Sequence, residues 1–390
     1  MNTLTRPVWA DINLDHLAHN MVQVKRITKE GTIISAVIKA DAYGHGALQV
    51  AKTLLKNGAD RFAVATLSEA LQLRSAFSET EIMVLGYTPD ELIEDAIKMR
   101  IIQTVYSYEQ AYAFNKAAEK LGCKLKVHIK LDTGMRRIGM EINDQTVLDI
   151  CKIAEMPYLT IEGIFTHFAV ADELDKTFTH HQVRLFQDMI KRLESNNVII
   201  PIKHVCNSAG IIDLPEYHFD MVRAGIMLYG LYPSNDVKKD RVELRPVMSL
   251  KAKVAHVKTV ESGEGVSYGL KFIAPQPTQV ATLPIGYADG FTRQLTDKAI
   301  GIINGVIKPI IGRICMDQCM MEVNDLTVNV GDTVTLFGEA DAVQIHIDRY
   351  AEILGTINYE IVCMIGKRVP RRYILDGKAF EVVDMILRQK

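Results

Sequence analysis

In the stretch AVIKADAYGHG (36–46), Lys39 closes a strand-like apolar run, Tyr43 follows four residues later, and His45 sits between two glycines. The same arrangement, a β-branched run followed by a reactive side chain, recurs along the first 226 residues. Lys130 leads into LDTGMRRIG, His167 follows IEGIFT, Asn207 and Ser208 follow KHVC, and Arg223 lies in MVRAGI. Each has a plain reading on its own: a solvated lysine, a satisfied core histidine, a helix cap at NSAG, an arginine paired with some acid. Five such positions brought to one face of one domain would instead make a site.

The chemistry open to that set is narrow. A lysine on a rigid strand is the usual means of holding an aldehyde covalently, provided that burial or neighbouring cations lower its pKa from about 10.4. Pyridoxal phosphate is one such aldehyde. It would also need a phosphate cradle, and the backbone N–H groups of Gly225 and Ile226 beside the Ser208 hydroxyl could offer one, with Tyr43 adding a phenol.

The elements that must position these residues are legible as eight short runs: 33–38, 61–65, 82–86, 101–105, 126–131, 161–166, 203–206 and 221–226. Most of the segments between them carry apolar residues at helical spacing. ALQVAKTLLKNG can stop at Gly58, and SEALQLRSAF has Ser68 as a candidate cap. Eight such units in about 200 residues predict a parallel (β/α)8 barrel over residues 1–240, with an open doubly wound sheet as the alternative. In such a barrel the chemistry occupies the face formed by the carboxyl ends of the strands. After residue 240 the texture changes to period-two strands and Gly-marked turns, predicting a mostly β domain over 241–390, interrupted by one helical stretch, HIDRYAEILG. The alternating segment VWADINL precedes the barrel, so residues 1–14 are open to pairing with the β domain.

Composition excludes several other classes. Of 390 residues 48% are apolar and 24% charged, and 45 basic against 47 acidic side chains leave a formal charge of −2. That is globular composition without a nucleic-acid footprint. No apolar run reaches signal-peptide or membrane-spanning length. The six cysteines lack paired spacing, which favours thiols in a reducing cytoplasm over disulfides, and Cys315 with Cys319 lacks the second half of a metal site.

AVIKADAYGHG, HIKLDTGMRRIG, THFAVAD, NSAG, MVRAGI, GVSYG, PIGYADG, GRICMDQ and TINYE occur in one order across nearly the whole chain. This set closely resembles alanine racemase, the fold-type III pyridoxal-phosphate family that interconverts L- and D-alanine. The resemblance implies roles. Lys39 would hold the cofactor and act as one base, and Tyr268, in GVSYG, would be the base on the opposite face. Tyr43, Asn207, Ser208, Gly225, Ile226 and Tyr359 would hold the cofactor, mostly at its phosphate, and Arg223 would face the pyridine nitrogen. Arg137 and the backbone of Met316 would hold the substrate carboxylate, and a carbamylated Lys130 would orient Arg137. A tyrosine, with an ordinary pKa of about 10, is a poor base unless a cation or relay assists it, and His167 with Arg223 would supply that relay. A head-to-tail homodimer would bring Tyr268 from a neighbouring chain, with Tyr287 and Asp317 at the entrance, and the resemblance makes supply of cell-wall precursor the default role.

Two positions depart from the usual family pattern: Asp41 where asparagine is common, and Arg136 where glycine is. Arg137 is chosen over Arg136 because it keeps the family's distance from Lys130. The rival expectations are a serine or broad-spectrum racemase, a decarboxylase on the same architecture, and a non-catalytic pyridoxal-phosphate carrier. The decarboxylase would want an acid where Arg223 stands, and the carrier would have no use for a β domain bearing Tyr268.

Overall fold

The computed structural model describes residues 4–387, which divide into two compact units: Leu17–Ala42 with Ala47–Arg245, and residues up to His16 with Tyr43–Gly46 and those from Pro246 on. The first strand, β1 (Val8–Asn13), belongs to the second of these units.

The first unit is built on eight parallel strands: β2 (Ile33–Val37), β3 (Arg61–Val64), β4 (Glu81–Val84), β5 (Gln103–Val105), β6 (Leu125–Lys130), β7 (Leu159–Phe165), β8 (Ile202–His204) and β9 (Met221–Ala224). They pair in the orders β4-β3-β2-β9 and β5-β6-β7-β8. Two seams close the ring. Val84 N donates to Ile102 O and Ile102 N to Ile82 O, both at 2.9 Å, while Asp220 N donates to Lys203 O and Arg223 N to Cys206 O, both at 3.1 Å. A closed barrel leaves no free edge, so the open-sheet alternative falls away.

Ala36, Phe62, Ala63, Val127, Ile129, Ile164 and Val222 are fully buried. Each large apolar side chain so placed contributes roughly 1.5–3 kcal/mol of transfer free energy. The connecting helices start where side chains can cap them. Leu67–Ala76 is capped by Thr66, which exchanges hydrogen bonds with Glu69 in a capping box. Ser68, expected as the cap, therefore lies inside the helix, because the box places the cap three residues before the glutamate.

In the second unit one large sheet runs, in order, through His256–Val260, Thr278–Leu283, Cys319–Glu322, Val306–Ile311, Ile300–Ile303, Thr333–Ala340, β10 (Met248–Lys253), β1, Arg371–Leu375 and Lys378–Val383. β1 pairs antiparallel with β10 and parallel with Arg371–Leu375. Two helices interrupt the strands, Asp348–Leu354 and Asn358–Met364, where the sequence pattern predicts one. The second is only two turns long and carries β-branched Ile361 and Val362 on its buried side, a pattern too short to show a helical period.

Candidate active site

The backbone after β2 turns the wrong way for L-residues. Ala40, Asp41, Ala42 and Tyr43 have φ of 52°, 51°, 55° and 53°, a left-handed turn directly after Lys39. Each such residue costs roughly 1–2 kcal/mol, so the surroundings must fix this segment. Within the barrel unit Glu69 accepts from Ala40 N at 2.6 Å, and Asp41 accepts from Ala47 N at 2.8 Å, capping the helix Ala47–Lys56. A carboxylate at position 41 thus has a local use. In the other unit Arg371 Nε donates to Gly44 O at 2.9 Å, and the Tyr373 hydroxyl donates to His45 O at 3.1 Å. A Cβ on Gly46 would lie 1.8 Å from that hydroxyl oxygen, which is why glycine stands there. His45 is buried and its Nδ1 donates to Tyr43 O at 2.9 Å, so it braces the loop.

The barrel brings together a dense group of cations. Arg223, 3% exposed, donates to His204 Nδ1 at 2.9 Å, to His167 Nδ1 at 3.2 Å, and to the carbonyls of Thr166, Val205 and His204. Burial pushes the His167 imidazole well below its usual range, and the charges of Arg223, Arg137, Lys130 and Lys39 push it further. His167 is therefore neutral, with Nδ1 as acceptor. Burial and then Arg223 lower Lys130 to about 7, with Arg137 adding to the effect and Asp132 opposing it. Arg223 itself is lowered to about 10, chiefly by burial, and stays protonated at neutral pH.

Arg137 acts on Lys130, His167 and Arg223, whereas Arg136 enters none of these interactions. Arg136 has φ 55° and sends its N–H to Asp132 at 3.1 Å, a left-handed position that glycine would occupy without strain.

At the next strand ends, Asn207 caps Ser208–Asp213 by accepting from Gly210 N at 3.0 Å. The Ser208 oxygen accepts from Gly225 N at 3.0 Å and from Met227 N at 3.4 Å. With both acceptor sites used, the serine retains only its O–H to donate. That is a donor suited to an anion, beside Gly225 and Ile226 at the start of the short 3-10 helix Ile226–Tyr229. A cluster of cationic side chains, a donor-only serine and a strand-end lysine fit a phosphorylated aldehyde bearing negative charge.

The second unit gathers a different set. Tyr268 follows Ser267, whose hydroxyl donates to Arg313 O at 2.6 Å, and the ring is 68% exposed. Met316 and Tyr287 are joined through Tyr287 N to Cys315 O at 3.0 Å and Ala288 N to Met316 O at 3.1 Å. The Ser267 oxygen lies 3.4 Å from Cys315 Sγ, so Tyr268, Tyr287 and Met316 share one neighbourhood. Asp317 accepts from Arg368 at 2.8 Å. Tyr43 and Tyr359 pack with ring centroids 6.1 Å apart.

The profile described as alanine racemase, N-terminal domain, matches residues 12–233, and that for the C-terminal domain matches 247–373. The chain belongs to the alanine racemase family. Alanine racemase 1 of Clostridium acetobutylicum is 50% identical over 97% of this chain and 98% of its own length. The alanine racemase of Methanococcus maripaludis is 49% identical over 95% of this chain and 100% of its own. Among solved structures, the alanine racemase of Clostridium difficile superposes with a TM-score of 0.95 at 47% identity, covering 98% of this chain and 100% of that one. The Bacillus anthracis alanine racemase with bound L-Ala-P gives 0.93 at 37% identity, over 99% of both chains. Alanine racemases are fold-type III pyridoxal-phosphate isomerases, and this chain is one of that class.

Sequence reasoning missed three polar residues in the alanine racemase barrel: His128 and His204, both buried, and the half-buried Glu162. The distance from His128 Nδ1 to His204 Nε2 is 2.8 Å, and from His128 Nε2 to Glu162 Oε2 is 3.0 Å. A signal was present, since His128 is two residues before Lys130 on one strand and therefore shares its face.

Proposed function

We propose that this chain interconverts L- and D-alanine, the reaction of its family, by a two-base mechanism with the following division of labour. Lys39 holds pyridoxal phosphate and moves the α-proton on one face, and Tyr268 moves it on the other. Bound cofactor supplies the electron sink that makes the α-proton labile. Ser208, Asn207, Gly225 and Ile226 from the barrel, with Tyr43 and Tyr359, hold the cofactor and chiefly its phosphate. Arg223 would face the pyridine nitrogen of the bound cofactor, and because a guanidinium is a hydrogen-bond donor but a poor proton source it would leave the ring a moderate electron sink. Arg137, with the Met316 backbone, takes the substrate carboxylate, and Lys130, carbamylated, orients Arg137.

The observation that carries this reading is the neutral His167 held against Arg223 among Lys39, Lys130 and Arg137. A neutral imidazole can pass a proton at neutral pH, and the surrounding cations favour the negative charge of cofactor and substrate.

We propose further that Tyr268 serves a neighbouring chain in a head-to-tail homodimer, with Tyr287 and Asp317 at the entrance. The exposure of Tyr268 at 68%, Leu270 at 59% and Met316 at 52% supports this, because such a surface is suited to burial by a second copy. We assign the β domain, from residue 241 on, the task of delivering that base. No helix among the described residues is long and apolar enough to cross a membrane. We propose a cytoplasmic enzyme, to which six free thiols are suited, supplying D-alanine for cell-wall precursor as its family membership suggests.

The deciding experiment incubates the cofactor-loaded protein with L-alanine, and in parallel with L-serine, in heavy water, followed by chiral analysis. D-alanine carrying α-deuterium is expected. Unlabelled, unconverted L-alanine would leave a carrier, and faster conversion of serine would leave a broader racemase.

A further inference from the structure

The barrel interior beneath Arg223 carries a continuous chain of hydrogen bonds. Arg223 to His204 Nδ1 is 2.9 Å, His204 Nε2 to His128 Nδ1 is 2.8 Å, and His128 Nε2 to Glu162 Oε2 is 3.0 Å. Arg61 donates to the same Glu162 Oε2 at 2.8 Å, and Lys126 lies 3.0 Å from the other oxygen, Oε1. Arg61 opens β3 and Lys126 is the second residue of β6, so the chain runs from the amino-terminal end of the barrel to a residue of the site.

The protons on this chain have one arrangement. Guanidinium nitrogens only donate, so His204 Nδ1 must accept. A neutral His204 then carries its hydrogen on Nε2 and donates it to His128 Nδ1. His128 in turn carries hydrogen on Nε2 and donates it to the Glu162 carboxylate. Protonating either imidazole would set N–H against N–H somewhere along the line. Three features show that the chain is built into the barrel. His128 and His204 are fully buried, the His204 ring stacks on Phe165 with centroids 4.6 Å apart, and a Cβ at Gly163 would lie 2.4 Å from the His128 ring.

We propose that Glu162, acting through His128 and His204, is the positioning residue that locks both imidazoles in the Nε2–H tautomer and fixes Arg223 as a charged donor toward the site. Arg223 makes its contacts to carbonyls and imidazoles, with no carboxylate at ion-pair distance among the described residues. The relay lets the charge of Glu162 act on it through two polarised rings, which a direct pair would do only by neutralising the donor needed above. The tautomer assignment stands on geometry alone; its effect on cofactor rests on the reading that Arg223 faces the pyridine ring.

Neutron diffraction from deuterium-exchanged crystals of the cofactor-loaded protein near neutral pH tests the first part. Deuterons are expected on Nε2 of both His128 and His204 and on neither Nδ1; a deuteron on either Nδ1 overturns the proposal. For the second part, apoprotein is titrated with pyridoxal phosphate. Glu162→Leu should weaken binding tenfold or more and shift the visible absorption maximum, with borohydride trapping on Lys39 retained, and Glu162→Gln, which keeps an acceptor, should restore affinity to within about threefold. If Glu162→Leu does not fold, His204→Gln replaces it, since that amide can accept from Arg223 and cannot continue the chain in the same geometry. Wild-type affinity and spectrum in the variant that breaks the chain overturn the positioning role. A wild-type protein that binds no cofactor would instead overturn the reading of the site, and the neutron result would still decide the tautomers.

Discussion

Lys130 should react with carbon dioxide at ordinary pH. Its ammonium is 3% exposed, and burial with Arg223 and Arg137 lowers it from 10.5 to about 7. At pH 8 about 90% of such an amine is neutral, against about 0.3% of an ordinary lysine, an increase of roughly 300-fold in the species that attacks carbon dioxide. The fall from 10.5 to about 7 corresponds to about 5 kcal/mol between the two protonation states. The folded chain binds fewer protons than the unfolded one between pH 7 and 10.5, so in carbon-dioxide-free buffer stability rises across that window, and the full penalty for the buried cation is felt below pH 7. Carbamylation turns this cation into an anion beside two arginines. Protein supplied with 13C-bicarbonate at pH 8 should therefore show one carbamate carbon, absent in Lys130→Met. Bicarbonate should raise the melting temperature of the wild type and leave that variant unmoved. Losing the charge-assisted contact to Arg137 costs about 1.5 kcal/mol or more, so Lys130→Met should raise the KM for alanine about tenfold. An uncarbamylated Lys130 in fully active protein, or identical KM values in variant and wild type, would refute the argument.

Three further outcomes are expected. Lys39→Ala should lose the visible absorbance of bound cofactor and its trapping by borohydride, and a purified variant still yellow and still trapped would remove Lys39 from its role. Tyr268→Phe should slow α-proton exchange from one enantiomer of alanine far more than from the other; equal loss in both directions, measured by deuterium uptake, would count against two bases. Gly46→Ala places a Cβ 1.8 Å from the Tyr373 hydroxyl at φ 95°, so overpacking and backbone strain together should cost about 2–4 kcal/mol. Adding Tyr373→Phe should recover part of that loss of melting temperature, and no recovery would show that the left-handed backbone alone sets the cost.

The eight barrel strands were legible because each is a short β-branched run bounded by a helical pattern, and the reactive residues were legible because they interrupt those runs at one end. Other features depend on contacts that one segment alone does not contain. Ser68 and Thr66 are chemically alike as caps, and only the reach of Glu69 decides between them. The helix Asn358–Met364 is too short to declare a period. His128 and Glu162 lie within strands, where a polar residue facing the barrel interior and one facing outward look the same until strands are paired. Asp41 and Arg136 were visible as departures from the family pattern, but their consequences are conformational. One caps a helix six residues on, and the other occupies a left-handed position at the expense of strain.

The turn after Lys39 is the most strained segment next to a reactive side chain. Four consecutive left-handed residues amount to roughly 4–8 kcal/mol of local strain, comparable with the whole stability of a small domain. Such a segment persists only if its neighbours over-determine it. Glu69 and Asp41 engage its start within the barrel unit, while Arg371 and Tyr373 engage the backbone of Gly44 and His45 in the other. Arg371 is itself 2% exposed and donates to the carbonyls of Gly44, Ile365, Gly366 and Val369, a buried cation satisfied by backbone oxygen. The backbone just after Lys39 is thus held by Glu69 within the barrel unit, and that of Gly44 and His45 by Arg371 and Tyr373 within the other, none of them a residue expected to hold cofactor or substrate. Substitutions at Glu69, Arg371 or Tyr373 should therefore weaken cofactor retention before they lower the intrinsic rate of proton transfer.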